Sequence, residues 1–123
     1  MRVVAADIDR LGHVNNAVYL RWIEQAVYSD WTVRAEAAEF AAFDWVAVRH
    51  ELDYRRPAFL DEDVCVAVRL VEVRRARAWY DIIVSRSGTV LVEARSCWCC
   101  IDSTTRRLTV IPKATASRML DPV

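Results

Sequence analysis

Residues Asn16 to Arg34 constrain the fold more than any other stretch of the chain. Apolar side chains recur there at Val18, Tyr19, Leu20, Trp22, Ile23, Ala26, Val27 and Trp31, which is helical spacing. Arg21, Glu24, Gln25, Tyr28 and Thr32 leave only a narrow polar stripe. A helix apolar over most of its circumference must be wrapped by other structure, so a curved sheet around it is expected. Asn15 or Asn16 supplies the cap, because an amide oxygen there accepts from the free N–H groups of the first turn.

The rest of the chain reads mainly as strands. Val3 to Ile8 forms a short one before the helix. A shorter helix is expected over Ala35 to Phe43. Trp45 to Tyr54 then alternates, with Val46, Val48, His50, Leu52 and Tyr54 on one face and Arg49, Glu51 and Asp53 on the other. Val64 to Val73 is valine-rich and suits burial on both faces. Arg77 to Ser85 and Val90 to Ile101 form a hairpin through Ser87-Gly88. Arg107 to Ile111 closes the sheet before Pro112, and Lys113 to Leu120 suits a short terminal helix. The fold class is therefore α+β, with one long central helix and a mainly antiparallel sheet of five to six strands. Two glycines and three prolines in 123 residues leave little room for linkers, so residues 1–123 read as a single domain.

Composition excludes several functions. Seventeen basic residues balance seventeen acidic ones, so no global field draws the chain to nucleic acid or an anionic membrane. No stretch approaches the roughly 18 apolar residues that span a bilayer. Met1 to Arg10 has no signal-peptide pattern. Cys97, Cys99 and Cys100 crowd onto one strand, the first two facing one way and the third the other. With Cys65 they match no zinc spacing, so no metal is expected, and four reduced thiols in a cytoplasmic compartment are. The apolar share, 54%, is high enough to suggest burial between subunits.

The run Asp7-Ile8-Asp9-Arg10-Leu11-Gly12-His13-Val14-Asn15-Asn16, followed by Ala17-Val18-Tyr19-Leu20, resembles the opening motif of the 4-hydroxybenzoyl-CoA thioesterase family, D-x-D-x-x-G-H-V-N-N and a helix. Glu24, Arg56-Pro57-Ala58, Asp61-Glu62-Asp63-Val64 and Ile111-Pro112 extend the likeness over nearly the whole chain. The glycine usual before the Asp of that third segment is missing. The resemblance implies a hotdog fold and an acyl-CoA thioesterase, with coenzyme A as part of the substrate and no separate cofactor. It implies Asp9 as nucleophile or general base and backbone N–H groups around Asn15 and Asn16 as oxyanion donors. His13 would position or polarise the thioester, and Glu24 is the rival base. Hotdog relatives pair as homodimers or homotetramers with the site between subunits.

Local chemistry agrees with these roles. Thioester hydrolysis needs a carboxylate to attack or to activate water, and donors aimed at the developing oxyanion. A carboxylate ahead of a helix start and the free amides of that start supply both. Gly12 lets the backbone come close to a ligand. Tyr19 and other helix aromatics are candidates to line an acyl pocket. Arg74, Arg75 and Arg77 are the first candidates for the phosphates of coenzyme A, with Arg55, Arg56, Arg106 and Arg107 as others. Other readings are open. Asp9 is an ordinary turn former when taken alone, Asp7 reads as a strand-end or supporting residue, and His50 as a hydrogen-bonded core or interface histidine. The alternative functions are a non-catalytic domain that binds acyl-CoA or acyl carrier protein, and a hotdog hydratase or dehydratase.

Overall fold

The computed structural model describes residues 1–121. The elements in chain order are α1 (Asn16–Arg34), α2 (Ala37–Ala42), β1 (Phe43–Tyr54), β2 (Cys65–Arg74), β3 (Arg77–Arg86), β4 (Thr89–Asp102) and α3 (Lys113–Leu120). The four strands form one antiparallel sheet in the order β1-β4-β3-β2. Its inner face carries Leu70 of β2, Tyr80, Ile82 and Val84 of β3, and Val92, Ser96 and Trp98 of β4, all buried. Helix α1 packs against that face through Val18, Tyr19, Trp22, Ile23, Val27 and Trp31.

Four strands replace the five to six expected. Val3 to Ile8 does not run as a strand, because the Val4 N–H donates to the Asp7 carboxylate at 3.0 Å and Ala5–Asp7 winds into a single 3-10 turn. Only isolated bridges at Arg2–Asp63 and Ile8–Val14 remain on that side. At the other end, Leu108 makes one bridge to Ile101 before the chain enters α3.

Two further expectations are corrected. Helix α1 is buried along one side and open along Arg21, Glu24, Gln25, Tyr28, Ser29 and Thr32, so it rests on the sheet and is not enclosed by it. In β1 the pairing with β4 shifts between Ala47 and Arg49, a bulge at Val48. One extra residue reverses which face each side chain takes. Phe43, Trp45 and Ala47 therefore face the core along with His50 and Leu52, while Val46 and Val48 are exposed. His50 is a hydrogen-bonded inner-face residue, its Nδ1 being 2.6 Å from the Oγ of Ser96.

Helix α1 and strand β1 run in opposite directions. Tyr19 meets Tyr54 edge-on with ring centroids 5.6 Å apart, and Trp31 meets Trp45 at 5.3 Å. The start of the helix therefore lies at the end of β1.

Candidate functional site

The motif folds into a loop that its own backbone holds closed. The Asp9 N–H donates to the His13 carbonyl at 3.1 Å, and the Gly12 N–H donates to the Asp9 carbonyl at 3.0 Å. Gly12 has φ +87°, a conformation that costs other residues a Cβ clash. The half-buried Asp9 accepts the Leu11 N–H through Oδ1 at 2.8 Å. Its Oδ2 is unengaged among the described residues.

Beneath the loop, Asp7 acts as an anchor. It is 3% exposed and receives the Arg21 Nη2 of α1 at 2.9 Å. Its carbonyl accepts the Asn15 N–H at 2.9 Å. The Asn15 side chain caps α1 by accepting the Ala17 N–H at 2.9 Å, and the Val18 N–H turns back to the Asn15 carbonyl. Of the two amides expected to be free, Asn15's is thus occupied. The Asn16 N–H has no partner among the described residues, and it stands at the positive end of the helix.

His13, Asn16 and Tyr19 come together in one cleft of about 210 Å³, which Tyr54, Arg55 and Arg56 complete. The His13 Nδ1 lies 3.3 Å from the Val14 carbonyl. A carbonyl only accepts, so in that contact Nδ1 is the donor. The Tyr19 hydroxyl accepts the Ala58 N–H at 3.1 Å, and burial pushes its pKa up. The Tyr54 hydroxyl donates to the Asn16 carbonyl at 3.1 Å. Arg55 pairs with Glu93 at 2.9 Å, whereas Arg56 has no ion-pair partner among the described residues.

Other expected site residues lie elsewhere. Asp9 is not part of the cleft wall and is joined to it through His13. Glu24 is exposed on α1, about 12 Å along the helix from Asn16. Arg74, Arg75 and Arg77 occupy the β2–β3 hairpin, where Arg77 pairs with Cys99, whereas Tyr54 pairs with Val92. The two positions are about 23 Å apart along β4, so these arginines are remote from the cleft in the same chain. Arg74 instead stacks on Trp79 at 5.4 Å on the outer face of the sheet. Tyr54 was missed as a site residue, since it read only as one member of an apolar strand face.

A second cavity, of about 410 Å³, opens at the other end of α1, between Trp31, Phe40, Trp45 and Trp98. Among the described residues no group of three or more His, Cys, Asp or Glu side chains is placed to hold a metal ion. No helix among them is long and apolar enough to cross a membrane.

Comparison with known proteins places the chain in a family and matches its fold. The sequence profile of the thioesterase-like superfamily matches residues 3–119. No curated protein matches the chain. Among solved structures, a thioesterase from Thermus thermophilus complexed with coenzyme A and Zn is 30% identical, with 97% of this chain and 87% of that chain covered and a TM-score of 0.84. A 1,4-dihydroxy-2-naphthoyl-CoA thioesterase from Synechocystis is 20% identical, covering 98% of this chain and 93% of that one, with a TM-score of 0.82. A probable thioesterase from Escherichia coli is 21% identical, covering 98% and 96%, with a TM-score of 0.85. At those identities the last two speak to the fold alone.

Proposed function

We propose that this chain, which belongs to the thioesterase-like superfamily and by that membership is a thioester hydrolase, cleaves an acyl-CoA thioester in the cleft at the start of α1. The observation that carries the reading is the unpaired Asn16 N–H at a helix N-terminus, in a cleft it shares with His13 and to which the Asp9 loop is tied. The Asn16 amide receives the negative charge that grows on the carbonyl oxygen. Asp9 uses Oδ2 either to attack the carbonyl carbon or to take a proton from the water that does. The carbon–sulfur bond then breaks, and the thiolate leaves and takes a proton that comes from the water, giving free coenzyme A and the acid; where Asp9 itself attacks, the acyl group stays on Oδ2 as a mixed anhydride until water cleaves it and restores the carboxylate. His13 orients the thioester, and Gly12 keeps the loop tight. Tyr19 forms the apolar floor. The phosphates of coenzyme A are met first by Arg56 and Arg55, with Arg74, Arg75 and Arg77 reaching a ligand only from another copy. Glu24 is the second candidate for the base.

The free edge of β1 supports a homo-oligomer. One side of β1 pairs with β4, and the exposed Val46 and Val48 accompany its unpaired side. Two copies joined antiparallel along β1 about a two-fold axis would set the Tyr54 end of one against the Phe43 end of the other. Four unpaired cysteines, three of them buried, fit a reducing cytoplasmic setting.

The second reading is binding without turnover, favoured by the Leu11 N–H bond that gives Asp9 an ordinary turn role. Free-thiol release from a panel of acyl-CoAs separates the two. Asp9→Asn keeps the turn acceptor and removes the charge. It is expected to lower kcat/KM at least about 100-fold with an unchanged melting temperature. Turnover that survives the substitution makes Asp9 structural, and Glu24→Gln is then the decisive variant. Binding with no thiol released by the unaltered protein decides for the second reading.

A further inference from the structure

The segment from Arg55 to Val64 joins β1 to β2 without regular structure, and its Arg55, Arg56 and Pro57 wall the cleft. A connection of that kind is as fixed as the side chains that reach it make it. Two reach it around Ala58, which is fully buried. Arg86, the last residue of β3, donates through Nη1 to the Pro57 carbonyl at 3.1 Å. Glu62 accepts the Phe59 N–H through Oε1 at 2.7 Å. The same Nη1 and Oε1 meet each other at 2.8 Å. Their side chains are 27% and 28% exposed, less open to water than the Arg55–Glu93 pair at 54% and 46%.

The two peptide groups of Ala58 are thus each gripped on one side, and each turns its other side toward the site. The Pro57–Ala58 peptide, held at its carbonyl by Arg86, gives its N–H to the Tyr19 hydroxyl at 3.1 Å. The Ala58–Phe59 peptide, held at its N–H by Glu62, gives its carbonyl to the Val14 N–H at 2.9 Å. That N–H belongs to the His13–Val14 peptide, whose carbonyl in turn accepts the Asp9 N–H. A line of peptide hydrogen bonds therefore runs from Glu62 to Asp9, and bonds in such a line reinforce one another.

We propose that Arg86 and Glu62 are positioning residues for thioester cleavage, which fix the Ala58 peptides and through them the places of Asp9, His13 and Tyr19 around the reacting carbonyl. The inference rests on the reading of the cleft as the site of that reaction. Neither side chain lines the cleft, so their part is in geometry and not in contact with the substrate.

Arg86→Met and Glu62→Ala are each expected to lower kcat for thiol release about ten-fold and to leave KM within about two-fold. The two residues act as one clamp, so the double variant is expected to lose no more than either single one. Glu62→Gln keeps the accepting oxygen and the shape, and is expected to retain at least about a third of the rate. Rates are taken well below each melting temperature, so that lost stability does not count as lost turnover. Arg95→Met breaks a pair of similar length, with Asp81 at 2.9 Å on the outer face of the sheet, and is the control expected to keep its kcat. Unchanged kcat in the single variants, losses that multiply in the double one, or an equal loss in Arg95→Met overturns the proposal. Should Arg86→Met not fold, Glu62→Ala and Glu62→Gln make the comparison between them. Hydrogen exchange reads the clamp without turnover, since the Ala58 and Val14 amides are expected to exchange faster in Arg86→Met and Glu62→Ala. If the unaltered chain releases no thiol, the catalytic reading falls, and the hold on Ala58 is decided by exchange alone, an unchanged rate overturning it.

Discussion

Asp7 and Asp9 are two residues apart in the same motif, and their surroundings give them different work. Asp7 is buried, with the Arg21 guanidinium on one oxygen and the Val4 N–H on the other. Asp7→Ala strands the Val4 amide and frees Arg21, and should destabilise the chain by about 2–3 kcal/mol, read as a lower midpoint in urea. Asp9 is half-buried with one unengaged oxygen, so its loss should be read in turnover and hardly in the melting temperature. If Asp9→Asn melts early while Asp7→Ala does not, the two assignments are reversed. Tyr54→Phe removes only the bond to the Asn16 carbonyl and keeps the ring against Tyr19. It should cost under about 1 kcal/mol in stability. It should also lower kcat/KM several-fold by loosening the helix start, and an unchanged value would leave that bond without a part in turnover. The motif displayed Asp7, Asp9, His13 and Asn16 in one glance. It did not show which of two amides stays free, because that depends on a carbonyl that Asp7 offers from a turn the strand reading had straightened.

At the level of elements, α2 and α3 are held together by charge. Glu39 of α2 accepts from Arg118 of α3 at 2.6 Å and from the Thr115 hydroxyl. The Arg118 guanidinium, followed by that hydroxyl, outweighs burial and holds the Glu39 carboxyl down at about 2. A carboxyl depressed in the folded state stabilises it above the ordinary value of about 4.3 and loses that contribution as pH falls toward about 2. The melting temperature should therefore fall through that window. Glu39→Gln should melt lower at neutral pH and show a shallower acid slope, and a parallel slope would place the acid sensitivity elsewhere. The extent of α1 was legible, because an asparagine cap precedes it and its apolar spacing persists to Trp31, while the choice of Asn15 over Asn16 as the cap was not. The faces of β1 were not. A bulge at Val48 leaves no trace in an alternation that looks regular from Val46 to Tyr54, and only the pairing with β4 fixes it.

For the whole molecule, the free edge of β1 is the exposed liability. A long unpaired strand bearing Val46 and Val48 invites a partner. Val46→Glu should leave the monomer fold intact and shift sedimentation toward a single chain. An unchanged sedimentation coefficient, in an assembly that persists, would put the contact on another face. The α+β class and the order of elements could be read from hydrophobic period and turn residues alone. The strand count could not, since Val4 and Leu108 lie in segments with strand-like composition that local hydrogen bonds divert.

The loop that presents Asp9 is closed by two main-chain bonds, from the Asp9 amide to the His13 carbonyl and from the Gly12 amide to the Asp9 carbonyl, with the Leu11 amide on the Asp9 carboxylate. Arg10 and Leu11 at its tip are exposed and contribute no side-chain bond to that closure. They are silent letters in the word the loop spells. A randomised library at those two positions should return a broad range of working clones, whereas one at Gly12 should return almost none but glycine.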